Sequence, residues 1–307
     1  MTAAVERSLR VMGCAAHIVV TGRDVDLDAL VDGAVQQLEH LESRWSRFLA
    51  GSDISRANRA GGAQVVVDAS TMAVVARAIE GWKQTGGRFD ITVLPALVRH
   101  GYTHSATTGR PAPRVSTQVI GLSGSVALDW PALTMAVPAG GAIDLGGIGK
   151  GFAADIVVEQ MIDDGASGAL VNIGGDIAVR GTSTSGGAWR LGVQDPFDTA
   201  AHRALLDVRR GGIATSGTAI RRWSTAAGET AHHLIDPRTA EPASTSLLTA
   251  TVLAADAATA EVFATAAMVV GDGPAAVRLL DEVGLAGIMF ASDGREHRSA
   301  RLEDFVP

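Results

Sequence analysis

The residues of this sequence that are best suited to chemistry lie in one short loop, Asp144-Leu-Gly-Gly-Ile-Gly-Lys-Gly151. Four glycines surround Lys150 and allow the backbone to approach a ligand closely. A lysine beside a helix N-terminus suits phosphate, because its ammonium and the free backbone N–H groups both attract anions. The loop does not have the NTPase pattern, since Gly151 follows the lysine where that pattern has Ser or Thr. We therefore predict a phosphate-approaching loop of another kind.

Four further segments carry polar side chains that could take part in the same chemistry. Each one alone also has a structural interpretation, such as a turn or a cap, and short motifs match by accident. We predict a strand carrying Asp90 and Thr92 in the first segment and a small-residue turn in the third. In chain order the segments are residues 87–95, residues 172–176, residues 213–217 and residues 232–239.

The elements that must position these residues are predicted from hydrophobic periodicity. Apolar residues spaced by three and four predict helices, and short apolar or alternating runs predict strands. Because the two types mix without regular βαβ alternation, we predict an α+β fold with mixed sheets and packed helices. The predicted helices span residues 26–50, 72–82, 150–164, 257–270 and 274–283, and the predicted strands span residues 64–68, 169–173, 189–193, 247–253 and 287–291. A polar turn is predicted at residues 51–58.

The composition limits the class of protein. With 307 residues, 47% hydrophobic and 19% charged, the chain reads as one compact unit over residues 1–307, of two interleaved lobes, with its core at about residues 10–291. A net charge of −7 argues against nucleic acid as the main partner. No apolar run is long enough for membrane insertion, and the first residues lack a signal-peptide pattern. The single cysteine, Cys14, suits a reducing compartment, so we predict the cytoplasm.

Taken in order, these segments resemble the ApbE-like family, the FAD:protein FMN transferases. The resemblance begins at Met12-Gly-Cys14, close to the Met-Gly-Thr opening of that family, and covers most of the chain between about residues 10 and 271. Its specificity comes from eight segments that fall in the right order. After the first, these are residues 48–58, 87–95, 143–155, 172–176, 215–217, 233–242 and 260–271.

The resemblance implies an enzyme that transfers FMN from FAD to a threonine hydroxyl of a partner flavoprotein. FMN is then carried by a phosphoester bond, and AMP is released. FAD is the implied substrate, Mg²⁺ the implied cofactor, and the partner is implied to carry an Asp-x-x-Ser/Thr-Gly/Ala-Ala-Thr-like motif. Two alternatives keep the same site: an FAD pyrophosphatase, in which water attacks and gives FMN and AMP, and a flavin-binding protein without catalysis.

The resemblance also implies roles for single residues. His233 and Asp236 are the implied catalytic residues beside the flavin. His233 is a candidate proton acceptor for the threonine, although a hydrogen bond to a loop explains it equally well. The implied FAD contacts are Met12, Asp90, Asp144, Lys150, Thr215, Ser216 and His233, and the implied Mg²⁺ ligands are the Gly147 carbonyl, the Glu261 carboxylate and the Thr265 hydroxyl.

The sequence departs from the family pattern at three of these places. Glu261 stands where the family has aspartate, which keeps the charge but adds a methylene. Since Glu261 and Thr265 are one helical turn apart, both can still face one site. Thr218-Ala219 replaces a tyrosine that often follows Thr-Ser-Gly. Ala240 replaces a glycine in the Pro-Arg-Thr-Gly turn, where a positive φ is costly for alanine.

Overall fold

The fold is built around one antiparallel sheet of eight strands, which we describe from a computed structural model. The structure describes residues 3–105, 107–113, 118–219, 221–224, 228 and 230–307. Along the sheet the strands follow the order β1-β2-β6-β7-β10-β15-β16-β17. The mixture of this sheet with packed helices is an α+β fold, as the sequence predicts.

The bounds of the elements in the described residues are as follows. The α-helices are α1 (Leu27–Trp45), α2 (Asp53–Arg59), α3 (Ala69–Gln84), α4 (Leu94–Arg99), α5 (Gly149–Asp163), α6 (Ala257–Val270) and α7 (Gly273–Glu282). The strands are β1 (Ala3–Val11), β2 (Cys14–Gly22), β3 (Val65–Val66), β4 (Ala127–Asp129), β5 (Thr134–Ala136), β6 (Gly168–Ile173), β7 (Asp176–Gly181), β8 (Trp189–Gln194), β9 (His202–Val208), β10 (Gly211–Gly217), β11 (Arg222–Ser224), β12 (Thr230–His232), β13 (Ile235–Asp236), β14 (Glu241–Pro242), β15 (Leu247–Ala254), β16 (Ala286–Ala291) and β17 (Glu296–Arg298). Three 3₁₀ helices in this part of the chain span Ile91–Val93, Ser123–Ser125 and Ala300–Phe305.

The two faces of the large sheet are covered by different elements. Successive side chains of a strand point to opposite faces, and the buried residues divide accordingly. Val252 and Met289 belong to the main core with helices α1, α3, α5, α6 and α7. Leu253 and Ile288 belong to a second core with the β8–β9 hairpin and the 3₁₀ helix Ala300–Phe305. The helical face therefore holds α5 and α6 against the centre of the sheet.

Helices α5 and α6 are fixed to each other at their N-terminal ends. Helix α6 begins after the N-cap Asp256, and the backbone N–H groups of Ala257 and Ala258 donate to the two carboxylate oxygens of Asp155, both at 2.9 Å. Asp155 lies on α5, so its buried side chain satisfies donors that a helix start leaves free. Burial raises the pKa of Asp155 to about 6, against the effect of these two hydrogen bonds.

Glycine occupies position 151 for a structural reason that the sequence pattern does not reveal. A Cβ at this position would lie 2.4 Å from the carbonyl oxygen of Ala257. The glycine thus lets α5 approach the first turn of α6, and its role is helix packing rather than approach to a ligand. A Cβ added at Gly149, in contrast, would lie 3.5 Å from its nearest neighbour, Leu145 Cβ, which is an ordinary van der Waals distance.

Several predicted elements are in place and three are wrong. Helix α6 has the predicted bounds, and α5 and α7 begin one residue before the predicted start. Residues 51–58, expected as a turn, form α2, because Ser52 caps a helix there. Residues 87–95 are not a strand, since Asp90 caps the 3₁₀ helix Ile91–Val93 and α4 follows. Residues 213–217 are not a turn but part of β10, paired with β15.

Membrane insertion was not expected, and in the described part of the chain none of the helices combines the length and the apolar character needed to cross a bilayer.

The close contact at Gly151 gives a testable prediction. Gly151→Ala should lower the free energy of unfolding by about 1–3 kcal/mol, because the added methyl forces α5 and α6 apart. Urea denaturation of the purified protein measures this change. Gly149→Ala on the same helix is the matched control and should be neutral or slightly stabilising, since alanine favours a helix. Equal stability of the two variants would contradict the packing role.

Candidate active site

Lys150 lies at the start of α5 and contacts three acceptors. Its Nζ is 2.9 Å from Asp176 Oδ2 and donates to the Gly146 carbonyl at 3.1 Å. It also donates to Glu261 Oε1. The side chains of Asp176 and Glu261 are 5% and 4% exposed and that of Lys150 is 14% exposed. The phosphate-approaching loop therefore carries a largely buried ammonium that donates two hydrogen bonds and forms an ion pair with Asp176.

Glu261 links this lysine to the backbone of α5. Its second oxygen, Oε2, accepts a hydrogen bond from Gly151 N at 2.8 Å. Burial raises the pKa of Glu261, the charge of Lys150 opposes the shift, and Asp176 adds to it. Burial alone would lower the pKa of Lys150, but the two carboxylates outweigh it and the pKa is raised.

The three implied Mg²⁺ ligands are placed around the same point. Thr265 follows Glu261 by one turn of α6, and its Oγ1 would lie 3.4 Å from a Cβ on Gly147. It also lies 3.3 Å from Ser216 Oγ on β10. A carbonyl, a carboxylate and a hydroxyl are the hard oxygen donors that Mg²⁺ prefers, so the residues fit this ion in type and place. In the described conformation, however, both oxygens of Glu261 already have partners.

A site made only of acidic, histidine or cysteine side chains is not available. Among the described residues there is no group of three or more of them that could hold a metal ion. A cation beside Glu261 would therefore depend on the Gly147 backbone and the Thr265 hydroxyl. Such a mixed set of oxygens suits Mg²⁺ better than a transition metal.

His233 is neutral and lies next to these charges. Burial lowers the pKa of its imidazole to about 3, and the positive charges of Arg221 and Lys150 add to the effect. Its Nδ1 is buried and has no hydrogen-bond partner among the described residues. An imidazole that stays unprotonated at neutral pH can accept a proton, which is what a general base must do.

Asp236, by contrast, is committed to its own turn. Arg238 donates to both of its oxygens, from Nε at 3.0 Å and from Nη2 at 2.8 Å, and the Arg238 backbone N–H also donates at 2.9 Å. The hydrogen bonds from Arg238 lower the pKa of Asp236. The carboxylate thus stabilises the β13–β14 turn that follows His233. Ala240 in this turn has a φ of 62°, the strained conformation expected where the family has glycine.

Asp144 is held in the loop that precedes Lys150. Its Oδ1 accepts from Gly146 N at 2.7 Å, and its Oδ2 lies 2.6 Å from Arg47 Nε. The Arg47 guanidinium lies 4.2 Å from the Phe48 ring centroid and 4.7 Å from that of Tyr102. A fixed arginine and two aromatic rings therefore hold one side of the loop.

Asp90 lies beneath the same loop and keeps one oxygen free. Its Oδ1 accepts from Thr92 and Ser123, while its Oδ2 is buried without a partner among the described residues. The adjacent Ile91 carbonyl accepts from Asp144 N at 2.8 Å. A buried carboxylate oxygen without a donor is costly unless a ligand supplies one, so Asp90 can contribute an acceptor to this site.

The remaining predicted contacts are divided between two places. Met12 is in the two-residue turn between β1 and β2, with φ values of 51° and 70° at Met12 and Gly13. Cys14, just after that turn, accepts from Arg221 Nη2 at 3.4 Å. Thr215 is not brought to Lys150, because its hydroxyl pairs with Thr251 on the sheet face opposite to Ser216.

The structure thus brings together Lys150, Glu261, Thr265, Ser216 and Gly147, with His233 beside them. It adds three residues that the predicted site lacks: Asp176, Arg47 and Arg221. Asp176 ends the polar segment of residues 172–176, but the sequence predicts no role for it. Arg47 belongs to a helical pattern and Arg221 to no motif at all, so no local signal identifies either.

Comparisons with known proteins identify the family of the chain. The sequence model of the ApbE family matches residues 12–289. A protein of Treponema pallidum named FAD:protein FMN transferase is 31% identical over 265 residues, which are 81% of this chain and 73% of that protein. One of the same name from Salmonella typhimurium is 30% identical over 302 residues, 93% and 83% of the two chains. The crystal structure of the ApbE protein of Thermotoga maritima aligns with a TM-score of 0.87 at 25% identity, covering 99% of this chain and 100% of that one.

The burial of His233 predicts a specific pH dependence of stability. The unfolded chain protonates this imidazole near its ordinary pKa of 6.5, whereas the folded chain protonates it only near pH 3. The unfolded state therefore binds more protons, and stability falls as the pH drops below 6.5. Between pH 7 and pH 5 this contribution is about 2 kcal/mol.

His233→Gln should remove that contribution. Between pH 7 and pH 5, the free energy of unfolding of the variant should fall by about 2 kcal/mol less than that of the unchanged protein. Urea denaturation at both pH values measures this difference. Other groups titrate in both proteins, so the difference isolates His233. If the free energy of unfolding changed equally with pH in both proteins, the imidazole of His233 would not be held neutral.

Proposed function

The chain belongs to the ApbE family, and from this premise we propose that it is an Mg²⁺-dependent FAD:protein FMN transferase. The proposed acceptor is a threonine hydroxyl of a partner flavoprotein with an Asp-x-x-Ser/Thr-Gly/Ala-Ala-Thr-like motif. The observation that carries the proposal is the cluster of Lys150, Glu261 and Thr265 beside the neutral His233. The cluster offers a phosphate-binding cation, metal-binding oxygens and a proton acceptor together.

The proposed reaction is a displacement at the phosphorus on the FMN side of FAD. The threonine Oγ attacks this phosphorus and forms the new ester bond, while the bond between the same phosphorus and the bridging oxygen breaks. AMP leaves with the bridging oxygen. The threonine proton passes to His233, whose unprotonated imidazole suits this role. Lys150 would contribute charge to the pyrophosphate, since phosphoryl transfer depends mainly on electrostatic stabilisation and positioning.

Mg²⁺, when bound, would neutralise phosphate charge in this reaction. The residues proposed to hold it are the Gly147 carbonyl, Glu261 and Thr265. The proposed contacts to FAD are Met12, Asp90, Asp144, Lys150, Ser216 and His233, and Thr215 is left out because it lies on the opposite face of the sheet. Of these, the free oxygen of Asp90 supports a direct contact, whereas the paired oxygens of Asp144 support a role in holding the loop. The proposed role of Asp236 is to position His233 through its turn.

The experiment mixes the purified protein with FAD, Mg²⁺ and acceptor proteins that carry the motif. We expect flavin fluorescence that stays with the acceptor in a denaturing gel, together with one AMP for each labelled threonine. An acceptor with that threonine changed to alanine should stay unlabelled. Release of FMN and AMP without labelling would identify an FAD pyrophosphatase. FAD binding with neither product would identify a flavin-binding protein, and either outcome contradicts the proposal.

The role proposed for His233 has its own test. His233→Gln should lower the rate of transfer by about 10²–10⁴-fold, the usual contribution of a general base. The neighbouring His232 donates from Nε2 to the Ala243 carbonyl, so His232→Gln is the matched control and should change the rate little. The rates are measured from AMP release under saturating FAD. A small effect of His233→Gln would favour the loop-bonding alternative.

The cytoplasmic location stays a prediction from the single cysteine, and the identity of the acceptor protein lies outside this chain.

A further inference from the structure

We infer that Glu261 is shared between Lys150 and the bound cation, so that cation and FAD bind to this site cooperatively. The inference rests on the proposed function, because it concerns how that site fills. It follows from the partners of two side chains, Lys150 and Glu261, in the described conformation.

The first step is the count of donors on Lys150. An ammonium has three N–H groups, and three oxygens already surround this one: Gly146 O and Glu261 Oε1 accept hydrogen bonds from it, and Asp176 Oδ2 forms an ion pair with it at 2.9 Å. A phosphate oxygen can therefore bind Lys150 only if one of these acceptors leaves. Glu261 is the acceptor with a second use, because it also lies with Thr265 and Gly147 in the set that fits Mg²⁺.

The second step is the charge of the cluster. Lys150, Asp176 and Glu261 are mostly buried, and charges that lose their partner in such a place are costly. A cation that binds Glu261 alone leaves Lys150 with one carboxylate. A pyrophosphate that binds Lys150 alone leaves Glu261 unpaired. When both bind, each charged group regains an opposite charge, so each ligand favours the other.

The third step explains why this chain has glutamate at position 261. The longer side chain reaches both Lys150 Nζ and Gly151 N. An aspartate is one methylene shorter and should hold Lys150 less well. With glutamate instead of the family's aspartate at position 261, Lys150 therefore competes more strongly with the cation for this carboxylate.

The test measures FAD affinity of the full-length protein by isothermal titration calorimetry with and without Mg²⁺. Glu261→Gln keeps an acceptor for Gly151 N but removes the charge. We expect it to bind FAD about tenfold more tightly than the unchanged protein when Mg²⁺ is absent, because Lys150 is released, a size typical of coupling between sites. The effect of Mg²⁺ on FAD affinity should be smaller in this variant than in the unchanged protein. Weaker or unchanged FAD binding would overturn the inference.

Two comparison variants separate the shared carboxylate from a general charge effect. Asp176→Asn leaves Glu261 in place, so the dependence of FAD affinity on Mg²⁺ should persist. Glu282→Gln changes an exposed glutamate on α7 and should alter nothing. Loss of the Mg²⁺ dependence in Asp176→Asn, or a gain in FAD affinity in Glu282→Gln, would show that Glu261 has no special role.

A second measurement uses Mn²⁺ alone, followed by electron paramagnetic resonance. Glu261→Asp should bind Mn²⁺ about tenfold more tightly than the unchanged protein in the absence of FAD, because Lys150 competes less. Equal or weaker Mn²⁺ binding would overturn the inference even if Glu261→Gln does not fold. Neither measurement needs an acceptor protein, so absence of coupling leaves the proposed transfer reaction untouched, and absence of acceptor labelling leaves the coupling untouched.

Discussion

The contact between the N-terminal ends of α5 and α6 is the constraint on which the site depends. Asp155 accepts from the first two N–H groups of α6, and Gly151 leaves room for the Ala257 carbonyl. With the two helix starts fixed in this way, Glu261 on the second turn of α6 reaches Lys150 on the first turn of α5. A shift of one helix along the other would separate the lysine from the carboxylate before any ligand arrives.

Around that contact the charges are unevenly distributed, and this asymmetry matters for function. Lys150 is paired with two acidic side chains, while His233 is kept neutral by burial and by positive neighbours. The same low-dielectric surroundings thus produce a paired cation and an unprotonated base a short distance apart. Each would be less useful in water, where the lysine would be screened and the imidazole would take up protons near neutral pH.

The sequence predicts those parts of the molecule whose cause is local. The periodic apolar residues of α6 determine both of its ends, and the glycine and lysine pattern correctly places a loop before α5. The prediction from sequence fails where pairing between distant parts of the chain determines the position of a residue. Thr215 and Ser216 look like one motif, yet their strand places them on opposite faces of the sheet. The contact of Arg47 with Asp144 joins distant elements, and no spacing along the chain encodes it. The role of Gly151 is likewise visible only once α6 is beside it.

The distance along the chain between partners has a consequence for how the protein acquires its activity. Lys150 and Glu261 are 111 residues apart, and Cys14 and Arg221 are 207 residues apart. Loops of this size close slowly, because chain entropy is lost before the contacts form. A nascent or half-folded chain therefore holds none of the assembled cluster and cannot act on a dinucleotide. The cluster is therefore assembled only once α6, which carries Glu261 and Thr265, is packed beside α5.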